Sequence, residues 1–286
     1  MRILSSIPSP SVSYFDVGPL RIHFYAVFIL IGIAVAIFLG NRRLVSRGGE
    51  KWVVLDVALW TVPFGLIGAR LFHVVTHPTD YFGPGRNMLE IFAIWNGGLA
   101  IFGGLILGAF GAYVGCRQAG IRFLSFADAI APGVLLAQAI GRWGNYFNQE
   151  LFGKPTDLPW AIEITRPNLA IPTGLPESSV FHPTFFYEFL WSVFGLAVLL
   201  FLDKRFDLRW GRLFAVYLAY YSIGRFWIEG IRIDPSEIFL GLRTNQWSAL
   251  LTVLVAIGLF VYSRRTHTGT ESSIYNAKKA AEETAE

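Results

Sequence analysis

Seven apolar stretches, at about residues 22–40, 53–75, 97–116, 124–142, 184–202, 213–232 and 246–262, recur along the chain with polar connections between them. Each is close to the roughly 20 residues that a helix needs to cross about 30 Å of hydrocarbon. Backbone in lipid must satisfy its own hydrogen bonds, so helices are the form such stretches take. The fold class predicted is an all-α integral membrane protein, a seven-transmembrane-helix bundle. Composition agrees, since 15% of the residues are charged against about 25% in a soluble domain.

The connections set the orientation. Arg42, Arg43, Arg47 and Lys51 follow the first stretch, Arg117 and Arg122 the third, Lys204, Arg205, Arg209 and Arg212 the fifth, and Arg264 and Arg265 the seventh. The intervening connections are poorer in Lys and Arg, which puts those four segments in the cytoplasm, the N-terminus outside and the C-terminus inside. Residues 1–142 and 184–262 are then the bundle. Residues 143–183, with six prolines around a strand-like Trp160–Thr165 patch, form a small outer-face cap. Residues 263–286, with Lys278, Lys279 and several glutamates, read as a polar, solvated cytoplasmic tail. The first 20 residues lack the basic start, apolar run and cleavage site of a signal peptide, so the whole chain is read as mature. Glycines at four-residue spacing, Gly104 with Gly108 and Gly111 with Gly115, predict close helix packing in the third stretch. Cys116, the only cysteine, excludes an internal disulfide and is read as space-filling.

Charge inside the apolar stretches is the functional signal. Residues 141–153 read GRWGNYFNQELFG. On a continuing helix Arg142, Asn145 and Gln149 share one face, with Gln138 a turn behind. An arginine at bilayer depth costs about 2.5–3.5 kcal/mol on insertion scales. It either serves a ligand or pathway inside the protein or snorkels to the headgroups. Tyr221, Arg225 and Glu229 form a second polar ridge at i, i+4 and i+8. Arg225 and Glu229 are either an ion pair that fixes packing or part of a site. Two guanidiniums converging in a membrane cavity suit a phosphate, and in that setting a phospholipid headgroup.

Four smaller features remain. His182, in HPTFFYE at 182–188, is a base, a cap or a spacer; His23 and Tyr25 open the first stretch as an aromatic belt or something more specific. Arg70 is a third intramembrane arginine, with Asp128 a candidate counter-charge. His73 and His77 lack a third ligand at suitable spacing, so no metal is predicted. Basic residues sit in short flanking loops, where topology accounts for them, and nucleic acid is not an expected partner.

Taken together, GRWGNYFNQELFG, HPTFFYE at 182–188, GRFWIEGIR at 224–232, GAR at 68–70 and HFY at 23–25 resemble the prolipoprotein diacylglyceryl transferase family over about residues 18–262. The resemblance implies an enzyme of the bacterial cytoplasmic (inner) membrane, needing no cofactor. It would move the diacylglyceryl group of phosphatidylglycerol to the thiol of the lipobox cysteine in a preprolipoprotein signal peptide, forming a thioether and releasing glycerol 1-phosphate. On that reading Arg142 and Arg225 take the phosphate and lower a nearby thiol pKa from about 8.5. Asn145 bonds glycerol or phosphate oxygens, and Glu229 orients Arg225. Glu150, Tyr25 and His182 are candidates for handling the proton. Tyr221, Gly153, Glu188 and Arg70 complete the substrate-binding set. Many members carry a histidine in an HGG stretch of the third span where this chain has Phe102. Another group accepts the thiol proton here, or electrostatic activation suffices. A phospholipid transporter or flippase and a membrane acyltransferase are the competing classes.

Overall fold

The computed structural model describes residues 6–83, 85–277 and 279. Among them are seven α-helices: α1 (Phe24–Ser46), α2 (Val53–Thr76), α3 (Ile101–Gln118), α4 (Phe123–Phe147), α5 (Thr184–Phe206), α6 (Arg212–Glu229) and α7 (Thr244–Thr266). Five of them, α1, α2, α4, α5 and α7, are long and apolar enough to cross a membrane. Leu30, Phe38, Leu59, Phe201 and Leu254 on these helices are each about two-thirds exposed, an outward apolar surface that suits lipid and not water. Helix ends differ from the predicted stretches by a few residues. The difference that matters is at α4, which runs five residues past Arg142 and so holds Asn145 on the same helix.

The chain divides into two compact units. One comprises the described residues through Leu39 together with Ile130–Thr270, the other Gly40–Ala129 with the chain from Glu271. In the second unit α2 and α3 pack backbone to backbone. A Cβ on Gly111 would lie 2.6 Å from the Trp60 carbonyl oxygen, and one on Gly115 2.9 Å from the Val57 Cα. The four-residue glycine spacing is thus a packing seam. Arg70 is not paired with Asp128, as its place in the second apolar stretch suggested. Its guanidinium donates to the backbone oxygens of Glu90, Ile91, Gly97 and Gly98, while Asp128, fully buried, lies 3.8 Å from Arg47. Phe102, on the first turn of α3, rests beside Phe72.

Part of the presumed solvated tail also belongs to this unit. Ile274 and Tyr275 are 1% and 3% exposed, the Glu271 carboxylate meets Arg122 at 3.1 Å, and Arg122 N donates to Ile274 O at 2.9 Å. Two apolar side chains and one buried acid are enough to dock a segment whose composition reads as polar. Lys278 and residues 280–286 lie outside the described residues.

In the first unit, α5 and α6 are joined where Tyr220 OH donates to Trp191 O at 2.8 Å and Trp191 Nε1 donates to Tyr220 O at 3.2 Å. An N-terminal hairpin, β1 (Tyr14–Val17) against β2 (Leu20–His23), leads into α1, so His23 ends a strand and does not open the helix. Residues 148–183 form an ordered layer over a buried cluster of Phe152, Ile162, Ile164, Phe181 and Phe185. The expected strand at Trp160–Thr165 is only a set of single bridges, centred on Ile162, which pairs with Ile7 and with Phe181. A second hairpin, β3 (Ile238–Phe239) against β4 (Leu242–Arg243), connects α6 to α7.

Candidate functional site

The site forms within the first unit, where three helices bring charge to one carboxylate. Arg142 on α4 reaches Glu188 on α5 at 2.7 Å, and Arg225 on α6 reaches the other oxygen of the same carboxylate at 3.5 Å. Glu188 is 5% exposed. The 3.6-residue repeat explains why α6 delivers a ridge: Tyr221, Arg225 and Glu229 lie one turn apart on one face. Arg142 Nη2 donates to Tyr221 OH at 3.4 Å, and Arg225 meets Glu229 at 2.8 Å.

Glu229 is fully buried and heavily held. Besides Arg225 it receives Arg243 Nε at 2.8 Å, Asn245 Nδ2 at 3.1 Å and Arg232 Nη1 at 3.4 Å. Arg243 in turn donates to the backbone oxygens of Arg232 and Asp234, and Asp234 takes a two-pronged contact from Arg232 at 2.7 and 2.9 Å. A buried carboxylate with one partner gains little from pairing, but one ringed by donors is fixed in place. Arg232 and Arg243 were not singled out from sequence. Arg232 carried a signal, three residues after Glu229 in GRFWIEGIR, whereas Arg243 comes from the β3–β4 hairpin and only the fold brings it back.

Asn145, 5% exposed, links Arg142 to Glu150. Its Oδ1 accepts from Arg142 at 3.4 Å and its Nδ2 donates to Glu150 at 2.8 Å; Asn148 adds a second donor to Glu150 at 3.3 Å. Gln149 departs from the expected helical face, because α4 ends at Phe147. Its φ is 50°, and its side chain goes to Pro10 O and Thr165 N. Leu151, on the other side of Glu150, has φ 60°. Two non-glycine residues in the left-handed region flank Glu150, a placement that costs about 1–3 kcal/mol each and is held by surrounding bonds. Tyr25, at the start of α1, packs against α4 at Gly144, where an added Cβ would lie 2.6 Å from its ring.

Gly153 and His182 lie beside this cluster, in the layer that follows α4. A Cβ on Gly153 would meet the His182 Cβ and the Ile231 Cγ2 at 2.8 Å each, and Gly153 N donates to His182 O at 2.9 Å. His182 Nδ1 contacts Tyr187 OH at 3.0 Å, and Trp160 Nε1 donates to the same hydroxyl at 3.0 Å. Burial and then the Lys154 charge push the His182 pKa below the usual imidazole value, so it is neutral near pH 7. Gln138 Oε1 is buried without a hydrogen-bond partner among the described residues and does not reach the arginines. Arg70 belongs to the other unit. Two guanidiniums on one carboxylate, backed by amides and a second carboxylate, are donors of the chemistry that tetrahedral oxyanions accept.

The sequence matches the family model described as prolipoprotein diacylglyceryl transferase over residues 12–262. It is similar to a phosphatidylglycerol–prolipoprotein diacylglyceryl transferase of Leifsonia xyli subsp. xyli, 53% identical over 95% of this chain and 85% of that protein. Two Streptomyces coelicolor proteins, named phosphatidylglycerol–prolipoprotein diacylglyceryl transferase 2 and 1, are each 49% identical. They cover 94% and 95% of this chain, which spans 84% and 78% of their lengths.

Proposed function

This chain belongs to the prolipoprotein diacylglyceryl transferase family, and from that premise we propose that it moves the diacylglyceryl group of phosphatidylglycerol onto the lipobox cysteine thiol of a prolipoprotein. The observation that carries the site assignment is the shared carboxylate. Arg142 and Arg225, from different helices, stand on the two oxygens of Glu188, at a spacing that also suits two oxygens of a phosphodiester.

Attack by sulfur at the glyceryl carbon turns a phosphodiester into a departing phosphate monoester with one more negative charge. Guanidiniums aimed at those oxygens stabilise the transition state more than the ground state. Glu229, locked by Arg232, Arg243 and Asn245, keeps Arg225 from swinging away. Asn145, held between Arg142 and Glu150, offers an amide to glycerol or phosphate oxygens. Tyr221 holds Arg142 through its hydroxyl, Tyr25 packs on α4 at Gly144, Gly153 lets the 148–183 layer approach the end of α6, and His182 braces that layer through Tyr187. Arg70, engaged by backbone carbonyls, shapes the 90–98 segment.

The same reading makes all seven helices transmembrane. At 1.5 Å per residue the 18-residue α3 and α6 are about 27 Å long, near the thickness of the hydrocarbon core. The basic connections and the C-terminus face the cytoplasm, and residues 143–183 cap the outer face of the bacterial inner membrane.

The test is incubation of purified protein with phosphatidylglycerol micelles and a lipobox peptide, followed by mass spectrometry. Thioether-modified peptide with glycerol 1-phosphate is expected. A lysophospholipid product would make the protein an acyltransferase, and lipid movement without modified peptide would make it a transporter.

A further inference from the structure

The acceptor thiol must lose a proton, and Phe102 offers no base. Glu188 is the one carboxylate of the cluster whose partners the substrate itself would claim. Its two oxygens face Arg142 Nη2 at 2.7 Å and Arg225 Nη1 at 3.5 Å. Phosphate oxygens and the Glu188 carboxylate compete for the same two guanidiniums. Glu150 differs, since it accepts from the amides of Asn145 and Asn148, and phosphate binding takes neither away. Glu229 keeps Arg232, Arg243 and Asn245 whatever happens at Arg225. His182 is tied at Nδ1 to Tyr187.

We propose that the lipid phosphate displaces Glu188 from Arg142 and Arg225, and that the released carboxylate accepts the proton of the acceptor thiol. A buried carboxylate left without its cations is poorly compensated, and a proton from the thiol removes that charge. The S–H bond breaks with its proton going to a Glu188 oxygen. The sulfur electron pair forms the S–C bond at the glyceryl carbon. The C–O bond to the phosphate breaks, and its pair leaves with glycerol 1-phosphate as a dianion. That dianion, which protonates near neutrality, then takes the proton from Glu188, and the carboxylate returns to the arginines. The base is available only once lipid is bound, so phosphatidylglycerol precedes the peptide.

This rests on the phosphate assignment above, and the experiment separates the two. Transfer is measured for wild type, E188Q and E188D with a lipobox peptide carrying cysteine and with one carrying selenocysteine, whose selenol is already ionised at neutral pH. E188Q is expected to slow thiol transfer by about 10²–10⁴-fold and selenol transfer far less, so the selenol-to-thiol rate ratio rises. E188D, which retains the acid on a shorter stem and keeps the arginines charge-balanced, should raise the ratio by a smaller factor and decides the matter if E188Q does not fold. An unchanged ratio in the folded variant, or wild-type thiol transfer in E188Q, overturns the proposal. No product from wild type with either acceptor would sink the transfer reading itself.

Discussion

Replacing Arg225 by alanine separates catalysis from stability in a way the structure makes quantitative. Removing one member of a buried ion pair costs about 3–5 kcal/mol when the other charge is stranded. Here neither carboxylate is stranded. Glu188 keeps Arg142 at 2.7 Å, and Glu229 keeps Arg243 at 2.8 Å, Asn245 at 3.1 Å and Arg232 at 3.4 Å. The stability loss should therefore fall to the level of a lost charge-assisted hydrogen bond, about 1.5–3 kcal/mol. On the proposed assignment transfer has no such reserve, because the departing phosphate would lose one of its two guanidiniums. Loss of a single donor to developing negative charge costs about 10²–10³ in rate, or about 2.7–4 kcal/mol at 1.36 kcal/mol per tenfold. Glycerol phosphate release in micelles reads the second quantity, and thermal unfolding in the same micelles reads the first. Arg225→Lys should fall between, since the charge survives and the two-pronged donor does not. Turnover in Arg225→Ala within about tenfold of wild type would remove Arg225 from the phosphate. A midpoint collapsed enough to explain the lost activity would make it a packing residue.

Other consequences follow from single contacts. Gly111→Leu places side chain where Trp60 O would be 2.6 Å from the first carbon; overpacking of about 1–3 kcal/mol should lower the unfolding midpoint, and an unchanged midpoint would mean that α2 and α3 part freely. Glu271→Ala removes the acid that meets Arg122 at 3.1 Å and should speed protease cleavage after α7 while transfer continues; equal cleavage would show that the docked segment does not depend on that pair. His182 binds a proton less readily in the fold than unfolded, so its contribution is full above pH about 6.5 and declines as pH falls toward the lowered folded value. Wild type should thus lose more midpoint than His182→Asn between pH 6.5 and 5, and parallel curves would contradict this. With Cys116 fully buried, a membrane-impermeant thiol reagent should label Ser178→Cys from outside and Arg205→Cys only from inside; the reverse would invert the topology.

The helices and the misplaced charges were legible because both are local properties of sequence. Apolar length marks a span, and i, i+4 spacing alone pairs Arg225 with Glu229. Contacts that close through space were not. Glu188 stood out only within HPTFFYE, and nothing in its spacing says that it meets Arg142, 46 residues earlier, and Arg225, 37 later. Asp128 sat in a span as Arg70 did, yet Arg70 found backbone carbonyls, which composition never reveals. Gln149 failed the helical extrapolation for a conformational reason: the turn after Phe147 uses two left-handed residues, and neither is the glycine that would announce it. Ile274 and Tyr275 were hidden by averaging, since a window over a charged tail dilutes two apolar side chains to nothing.

The count of charges explains why so many arginines are tolerated at membrane depth. Arg142, Arg225, Arg232 and Arg243 are linked through the carboxylates Glu188, Glu229 and Asp234, so four guanidiniums share three acids. Glu150 stands one amide further out, reached through Asn145. Burying an unbalanced cation is unfavourable unless something completes it. A phosphodiester carries a single negative charge, which would bring the linked group to balance and repay the unfavourable burial only when lipid is bound. On this view the excess arginine is a built-in preference for an anionic headgroup, and Glu188, held by Arg142 and Arg225, is the acid whose partners the phosphate takes while its own charge stays in the group.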